Sequence, residues 1–325
     1  MTAPQLQAST NWCVVVADDY GAESVGRQRA ELERAPVHYR HLGGPGTLLQ
    51  RALHRASCVA PASQVVLTVD EECRALWEAS FWLFRPAKRF VGANRHGTRL
   101  TTAAATLYVA HRDASAVLTI LPARAYVNHE PTLRRALAQA LEELPGVPEG
   151  VLTLGMLDVE SPCAEDYLSV QRAAGGKASL VSGIARRPMP LAAQQLRRRG
   201  ALVASGILIG YAGALAAPLL RHWGGLTGKL CELAGHEAEE LRVPIEIHQE
   251  LPWGVFATHP WHPAAVPQRV IPVCRSGWSG LKSPQSIERM IAYVSAVTAH
   301  ESREATRPAG RPATPSPSPR SRAAP

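Results

Sequence analysis

The sequence predicts an α/β protein with a doubly wound, mostly parallel, Rossmann-like sheet and helices on both faces. Three observations predict it. Short β-branched runs alternate with helical stretches through the first half of the chain. Several of those runs are apolar throughout, as expected of strands buried on both faces. The 325 residues are 46% hydrophobic and 19% charged, enough for one large core, and they exclude collagen-like, disulfide-framework and wholly disordered chains.

The elements follow in order. Trp12 to Ala17 is a buried strand. After an irregular charged stretch, Gly43, Gly44, Pro45 and Gly46 turn into Thr47, an N-cap for a helix through about Ser57. Gln64 to Val69 reads as a strand, Glu71 to Trp82 as a helix, and Arg89 to Gly92 as a short strand. An Ala-rich helix follows from Thr98 to Ala110, then a strand from Ser115 to Leu121 that stops at Pro122. Glu130 to Leu144 has amphipathic helical spacing, and Val151 to Met156 is another strand. Farther on, strands at Ser179 to Ala185 and Leu202 to Ile209 flank a helix at Leu191 to Arg199. Ala212 to Leu241 is mainly helical and Val270 to Val273 is a late strand. Ser283 caps, and Pro284 opens, a closing helix that runs to about Ala299. No internal repeat is visible. Ligands of such sheets bind beyond the carboxyl ends of the strands. A site is therefore expected among the loops Asp18 to Arg27, Gly92 to Thr98 and Pro122 to Glu130.

The net charge of +8 permits an anionic partner such as a nucleotide or sugar phosphate. Its location argues against nucleic acid. Arg303 to Pro325 carries five Arg against one Glu, half of the net charge, in a Pro-, Ser- and Ala-rich stretch with nothing apolar to bury. The expected organisation is a flexible start over residues 1–10, a single domain over 11–300 and a disordered tail over 301–325. Six scattered cysteines contain no C-x-x-C pair, which excludes a zinc ribbon and a redox motif and fits free thiols in a cytoplasmic protein. Met1 to Trp12 lacks the basic and apolar regions of a secretory signal. Ala201 to Leu220 is twenty residues without a charge, just long enough to span a membrane. Gly206, Gly210, Gly213 and Pro218 favour instead a strand that breaks at Gly210 into a short buried helix. A membrane partner is not expected.

Several stretches together resemble one family, the mannose-1-phosphate guanylyltransferases and their sugar-phosphate nucleotidyltransferase relatives. They are WCVVVA from Trp12 to Ala17, GGPGTLL from Gly43 to Leu49 with the helix behind it, and NRHGT from Asn94 to Thr98. Leu121-Pro122 before Tyr126-Val127, Leu154-Gly155, Gly200 to Leu202 with Ser205-Gly206, and Gly277 to Ser279 complete the set. The resemblance implies a reaction in which a sugar 1-phosphate attacks a nucleoside triphosphate and releases pyrophosphate, with Mg²⁺ held by two aspartates. It places Ala17, Gly21, Asn94, Gly97, Thr98 and Pro122 on the nucleotide side. On the sugar-phosphate side it places Tyr167, Arg186, Arg187 and Ser205.

The charged positions depart from the family pattern. The glycine-rich phosphate loop reads DDYGAE from Asp18 to Glu23, keeping only Gly21, and the lysine of the next motif is Val37. One metal carboxylate is replaced by Arg124 and the other by Gly280. The Glu-Lys-Pro contact reads Arg186, Arg187, Pro188, and the sugar-side Asn is Ala204. Residues that build the fold remain while those that do the chemistry differ. The expectation is a nucleotidyltransferase fold with lost or altered catalysis, no metal site, and Mg²⁺ only if activity is retained. Asp18, Asp19 and Arg124 are the residues with which a site could be rebuilt, although an ion pair between Asp18 and Arg124 across the empty pocket is the favoured explanation of them. Without turnover, the role is binding or regulation, in a homo- or hetero-oligomer with a related nucleotidyltransferase.

Weaker alternatives come from three short motifs. VVADDYG from Val15 to Gly21 also looks like the start of a metal-dependent carbohydrate deacetylase, with His248, His259 or His262 as ligands, but His259 and His262 sit in a Pro-rich loop and no other feature of that family follows. GWSGL from Gly277 to Leu281 resembles a nucleophile elbow without its last glycine, so Ser279 reads as structural. Gly43 to Gly46 lacks the ending of a P-loop and reads as a turn.

Overall fold

Strand β1 (Asn11–Val16) sits near the middle of a ten-stranded sheet, between β2 (Val65–Asp70) and β4 (Val117–Pro122). The others are β3 (Lys88–Gly92), β5 (Val151–Met156), β6 (Tyr167–Gln171), β7 (Ser179–Ala185), β8 (Leu202–Tyr211), β9 (Glu240–Val243) and β10 (Gln268–Val273). The helices are α1 (Leu48–Ser57), α2 (Arg74–Glu78), α3 (Thr98–Arg112), α4 (Glu130–Glu143), α5 (Pro190–Arg198), α6 (Ala212–His222), α7 (Gly224–Ala234) and α8 (Pro284–Ala305). The structure, a computed structural model, describes residues 10–17, 35–82, 84–92, 98–157, 159, 165–171, 178–244, 246–247 and 261–305.

Strands β9, β3, β2, β1 and β4 run parallel in that order. Alternate side chains of β1 divide between two cores, as the pleat requires. Cys13 and Val15 pack with α1 and α4, while Val14 and Val16 pack with α3, α6 and α7. Burial on both faces explains why β5, and β2 as far as its terminal Asp70, are apolar or neutral runs with no exposed position. It also pushes the Cys13 thiol far above its ordinary range. Thr47 caps α1 in a reciprocal box with Gln50, so Gly43 to Gly46 is the turn that the sequence predicts.

The other half differs from the expected open, doubly wound sheet. β8 runs antiparallel to β4 and pairs with both β5 and β6; β7 then joins β6 to β10, and β10 returns to β5. Five strands therefore close on themselves, with Leu168, Val181, Leu202 and Val270 packed together from β6, β7, β8 and β10. Two glycines permit the closure. Gly206 bends β8 in a left-handed conformation (φ 79°) beside the register shift of its pairing with β5. At Gly155, a Cβ would lie 2.6 Å from Val270 and 2.7 Å from Leu202, so only glycine lets the strands approach.

Two strands escape the sequence pattern. β6 carries polar Ser169 and Gln171, and β9 places Glu240 and Arg242 on the edge of the sheet, where charge is normal. β9 also ends the helical stretch expected to reach Leu241, and the closing helix runs past Ala299 to Ala305. Ala201 to Leu220 divides into β8 and α6, and no helix among the described residues is long and apolar enough to cross a membrane.

Buried Arg55 on α1 grips Glu130 at the start of α4 with bonds of 2.8, 2.9 and 3.1 Å. This forked pair braces the segment between β4 and α4, from which the site is built. Arg55→Met is expected to cost about 2 kcal/mol, since it strands part of a shielded carboxylate. Urea denaturation checks this, and a change within about 0.5 kcal/mol would mean that packing alone holds the segment.

Candidate functional site at the strand ends

The parallel register aligns Val16 with Pro122, so β1 and β4 end side by side. Ala17 N–H donates to the Thr68 carbonyl at 2.9 Å and Ala123 N–H to the Val16 carbonyl at 2.8 Å. The chain then turns through Arg124, which is buried, and meets a distant segment. Tyr126 and Ser279 exchange backbone hydrogen bonds of 2.9 and 3.0 Å, and the Ser276 carbonyl accepts from Asn128 and His129. Position 124 and position 280, where the family resemblance implies the metal carboxylates, thus lie on segments that these backbone bonds hold side by side.

What fills that place is a carboxylate from elsewhere. Glu165, 2% exposed, lies just ahead of β6, and its oxygens are 2.5 and 2.9 Å from where a Cβ on Gly280 would stand. Lys282 places its ammonium 3.0 Å from Glu165 and 3.6 Å from Asp166. Asp166 is held in turn by the backbone N–H of Arg187 at 3.2 Å, and its carbonyl accepts from Ala204 N–H at 2.9 Å. The resulting ion pair ties the start of β6 to the segment after Gly280. Sequence reasoning missed both Glu165 and Lys282. The available signal was a Glu-Asp pair directly before a strand and a lysine two residues beyond the missing carboxylate.

The other predicted residues divide clearly. Ala17, Pro122 and Arg124 lie at the strand ends. Tyr167 is fully buried, and the Ser205 hydroxyl accepts the Ile207 N–H at 3.0 Å inside the β8 bend, so neither offers its side chain to a ligand. Arg186 and Arg187 are exposed beyond β7, with Arg187 in a left-handed conformation (φ 38°) beside Asp166. Thr98 opens α3. Asp18, Asp19, Gly21, Asn94 and Gly97 lie outside the described residues, as do His248 and His259. The ring nitrogen Nδ1 of His262 accepts the Ala264 N–H within its own loop at 3.2 Å. Among the described residues no three His, Cys, Asp or Glu side chains come together as a metal site. Ser279 is held in the bridge to Tyr126 rather than on a strand-to-helix elbow.

Two cavities lie beside this cluster and share Tyr126, Asn128 and Tyr293 as a wall. The larger, about 940 Å³, is bordered by the glycine turn, α1, Trp82, Phe84 and α8. The smaller, about 490 Å³, opens beyond the ends of β5 and β10. In their common wall the Asn128 amide donates to the Tyr293 hydroxyl at 3.2 Å, and the Arg51 guanidinium lies 4.8 Å over the Tyr126 ring. Burial pushes the Tyr126 phenol above its ordinary range, so it stays a neutral donor.

No protein-family model and no curated protein matches the sequence. Solved structures do match in shape. A protein described as mannose-1-phosphate geranyltransferase from Thermus thermophilus superposes with a TM-score of 0.63 at 19% identity, covering 87% of this chain and 79% of that one. A mannose-6-phosphate isomerase from Helicobacter pylori gives 0.59 at 14% identity, covering 83% and 99%. An apo UDP-glucose pyrophosphorylase gives 0.51 at 11% identity, covering 90% and 99%. Agreement of backbone at such low identity is a statement about architecture, and it extends the resemblance read from the sequence to three dimensions. The chain carries, in a divergent sequence, the fold of the sugar-phosphate nucleotidyltransferases.

Proposed function

We propose that this protein binds a nucleotide or sugar phosphate on a nucleotidyltransferase fold without catalysing the metal-dependent transfer. One observation carries the reading: the Glu165 carboxylate fills the space beside Gly280 and is neutralised by Lys282. A divalent cation at such a centre stabilises charge on the transferring phosphate and needs free oxygen donors. The described residues do not fit one. Arg124 is a cation, Gly280 has no side chain, and both remaining carboxylates face the Lys282 ammonium. The chain's own residues offer a different capacity. Arg186 and Arg187, exposed on a loop anchored to Asp166, present guanidinium groups suited to a phosphate.

The test is pyrophosphate release with Mg²⁺, a panel of nucleoside triphosphates, and mannose 1-phosphate or glucose 1-phosphate, run beside equilibrium binding of the same ligands. The expected result is no release above the enzyme-free control, with ligand binding unchanged by EDTA. Turnover that disappears in Asp18→Ala/Asp19→Ala would overturn the reading, because it would make those aspartates a rebuilt metal site.

A further inference from the structure

Helix α5 turns its larger apolar side chains away from the protein. It buries Ala193 and partly buries Leu196 against the core, yet Leu191 is 68% exposed and Met189, just ahead of the helix, is 77% exposed. Fraying does not explain this. Pro190 opens the first turn, and the Ala193 N–H donates to the Met189 carbonyl at 2.9 Å. The far end closes at left-handed Gly200 (φ 81°), where the Ala201 N–H donates to the Leu196 carbonyl at 3.0 Å. Leu191, Gln195 and Arg198, spaced by four and three residues, form one outward stripe on a helix about 13 Å long.

Charge follows the same surface. Arg186 and Arg187 precede α5, while Arg197, Arg198 and Arg199 end it, and all five are exposed. Among the described residues none of these guanidinium groups makes an ion pair or a hydrogen bond. Between Asp166 and Glu232 the sequence holds nine Lys or Arg and no acidic residue, so no carboxylate of that stretch balances them. Arginines in a last turn complement the helix dipole, but the pair ahead of the first turn opposes it. Helix stability therefore accounts for one end of the cluster only.

We propose that this face, α5 with the turn at either end, docks on an anionic lipid surface. Met189 and Leu191 enter the headgroup region, and the arginines that bracket them pair with lipid phosphates. Other polyanions suit the face less well. Single-stranded nucleic acid stacks its bases on aromatic side chains, and protein interfaces centre on aromatic anchors, whereas residues 185–201 contain no aromatic residue. Contact of this kind lies on the bilayer and needs no spanning helix; none is present among the described residues. Only Arg186 and Arg187 are shared with the proposed phosphate ligand, and Met189, Leu191, Arg198 and Arg199 are not.

Co-sedimentation of the full chain with vesicles tests the proposal, comparing phosphatidylcholine alone with phosphatidylcholine carrying about one-third phosphatidylserine. Binding is expected to the anionic vesicles only, and it is expected to weaken as salt is raised. Met189→Ser/Leu191→Ser and Arg198→Gln/Arg199→Gln are each expected to weaken it at least about tenfold. All four side chains are exposed, and serine caps a helix better than methionine does, so the variants do not threaten the fold. Replacing Arg307, Arg311, Arg320 and Arg322 together with glutamine is expected to leave binding within about threefold, which separates α5 from the basic C-terminal stretch. No binding to the anionic vesicles, equal binding to neutral ones, binding retained in either α5 variant, or loss confined to the C-terminal arginines would overturn the proposal. Tighter binding of single-stranded RNA or of polyglutamate than of the vesicles would do the same. The vesicles carry neither nucleotide nor sugar, so failure of vesicle binding and failure of ligand binding are separate outcomes.

Discussion

Replacing Lys282 with methionine is expected to destabilise the protein by about 3 kcal/mol. Glu165 is 2% exposed and has the Lys282 ammonium 3.0 Å away, so Lys282→Met leaves a carboxylate shielded from water without the cation that pairs with it. Such a group costs more when stranded than the intact pair contributes, because the desolvation penalty remains in full while the compensating attraction disappears. Lys282 itself is 16% exposed, which places the effect at the lower end of the range for buried pairs. Glu165→Gln combined with Lys282→Met is expected to recover most of the loss, since neither group then carries charge. Guanidinium denaturation of the two single variants and the double variant measures this directly. If Lys282→Met stays within about 0.5 kcal/mol of the wild type, the pair does not hold the start of β6 to the segment after Gly280.

The parallel half of the fold was legible because its chemistry is local. Apolar runs such as Trp12 to Ala17 and Val151 to Met156 announce strands buried on both faces, and Thr47 announces a helix start. The closed half was not, because closure depends on long-range pairing of β5, β8 and β10, and nothing in the spacing of Gly155 or Gly206 states which strands they admit. The site shows the same division. Position by position, the sequence told that Arg124 and Gly280 stand where carboxylates are implied. It did not tell that Glu165, more than a hundred residues away from Gly280 along the chain, enters the vacated space. A missing side chain is visible in one dimension, and its replacement only in three.

Gly280→Asp, which would return a carboxylate to the implied metal position, is expected to fail as a repair and to destabilise by about 3 kcal/mol or more. A Cβ at position 280 would stand 2.5 and 2.9 Å from the Glu165 oxygens and 2.9 Å from the Trp278 ring, closer than unbonded atoms pack. The backbone has little freedom to yield, because Ser279 is bridged to Tyr126 and Ser276 to Asn128 and His129. The second negative charge adds repulsion to the overlap, since Glu165 is too buried for water to screen it. Glu165→Ala should relieve both terms, and in that background Lys282 is left to pair with the new carboxylate. The two changes are therefore expected to couple by about 2 kcal/mol or more in a double-mutant cycle read by thermal and denaturant unfolding. Additive effects would mean that Glu165 does not occupy the position, and the route back to a metal-dependent site would need only positions 124 and 280. Coupling on that scale would mean that the acid was relocated rather than simply deleted, so that recovering a divalent-ion site requires Glu165 and Lys282 to be undone first.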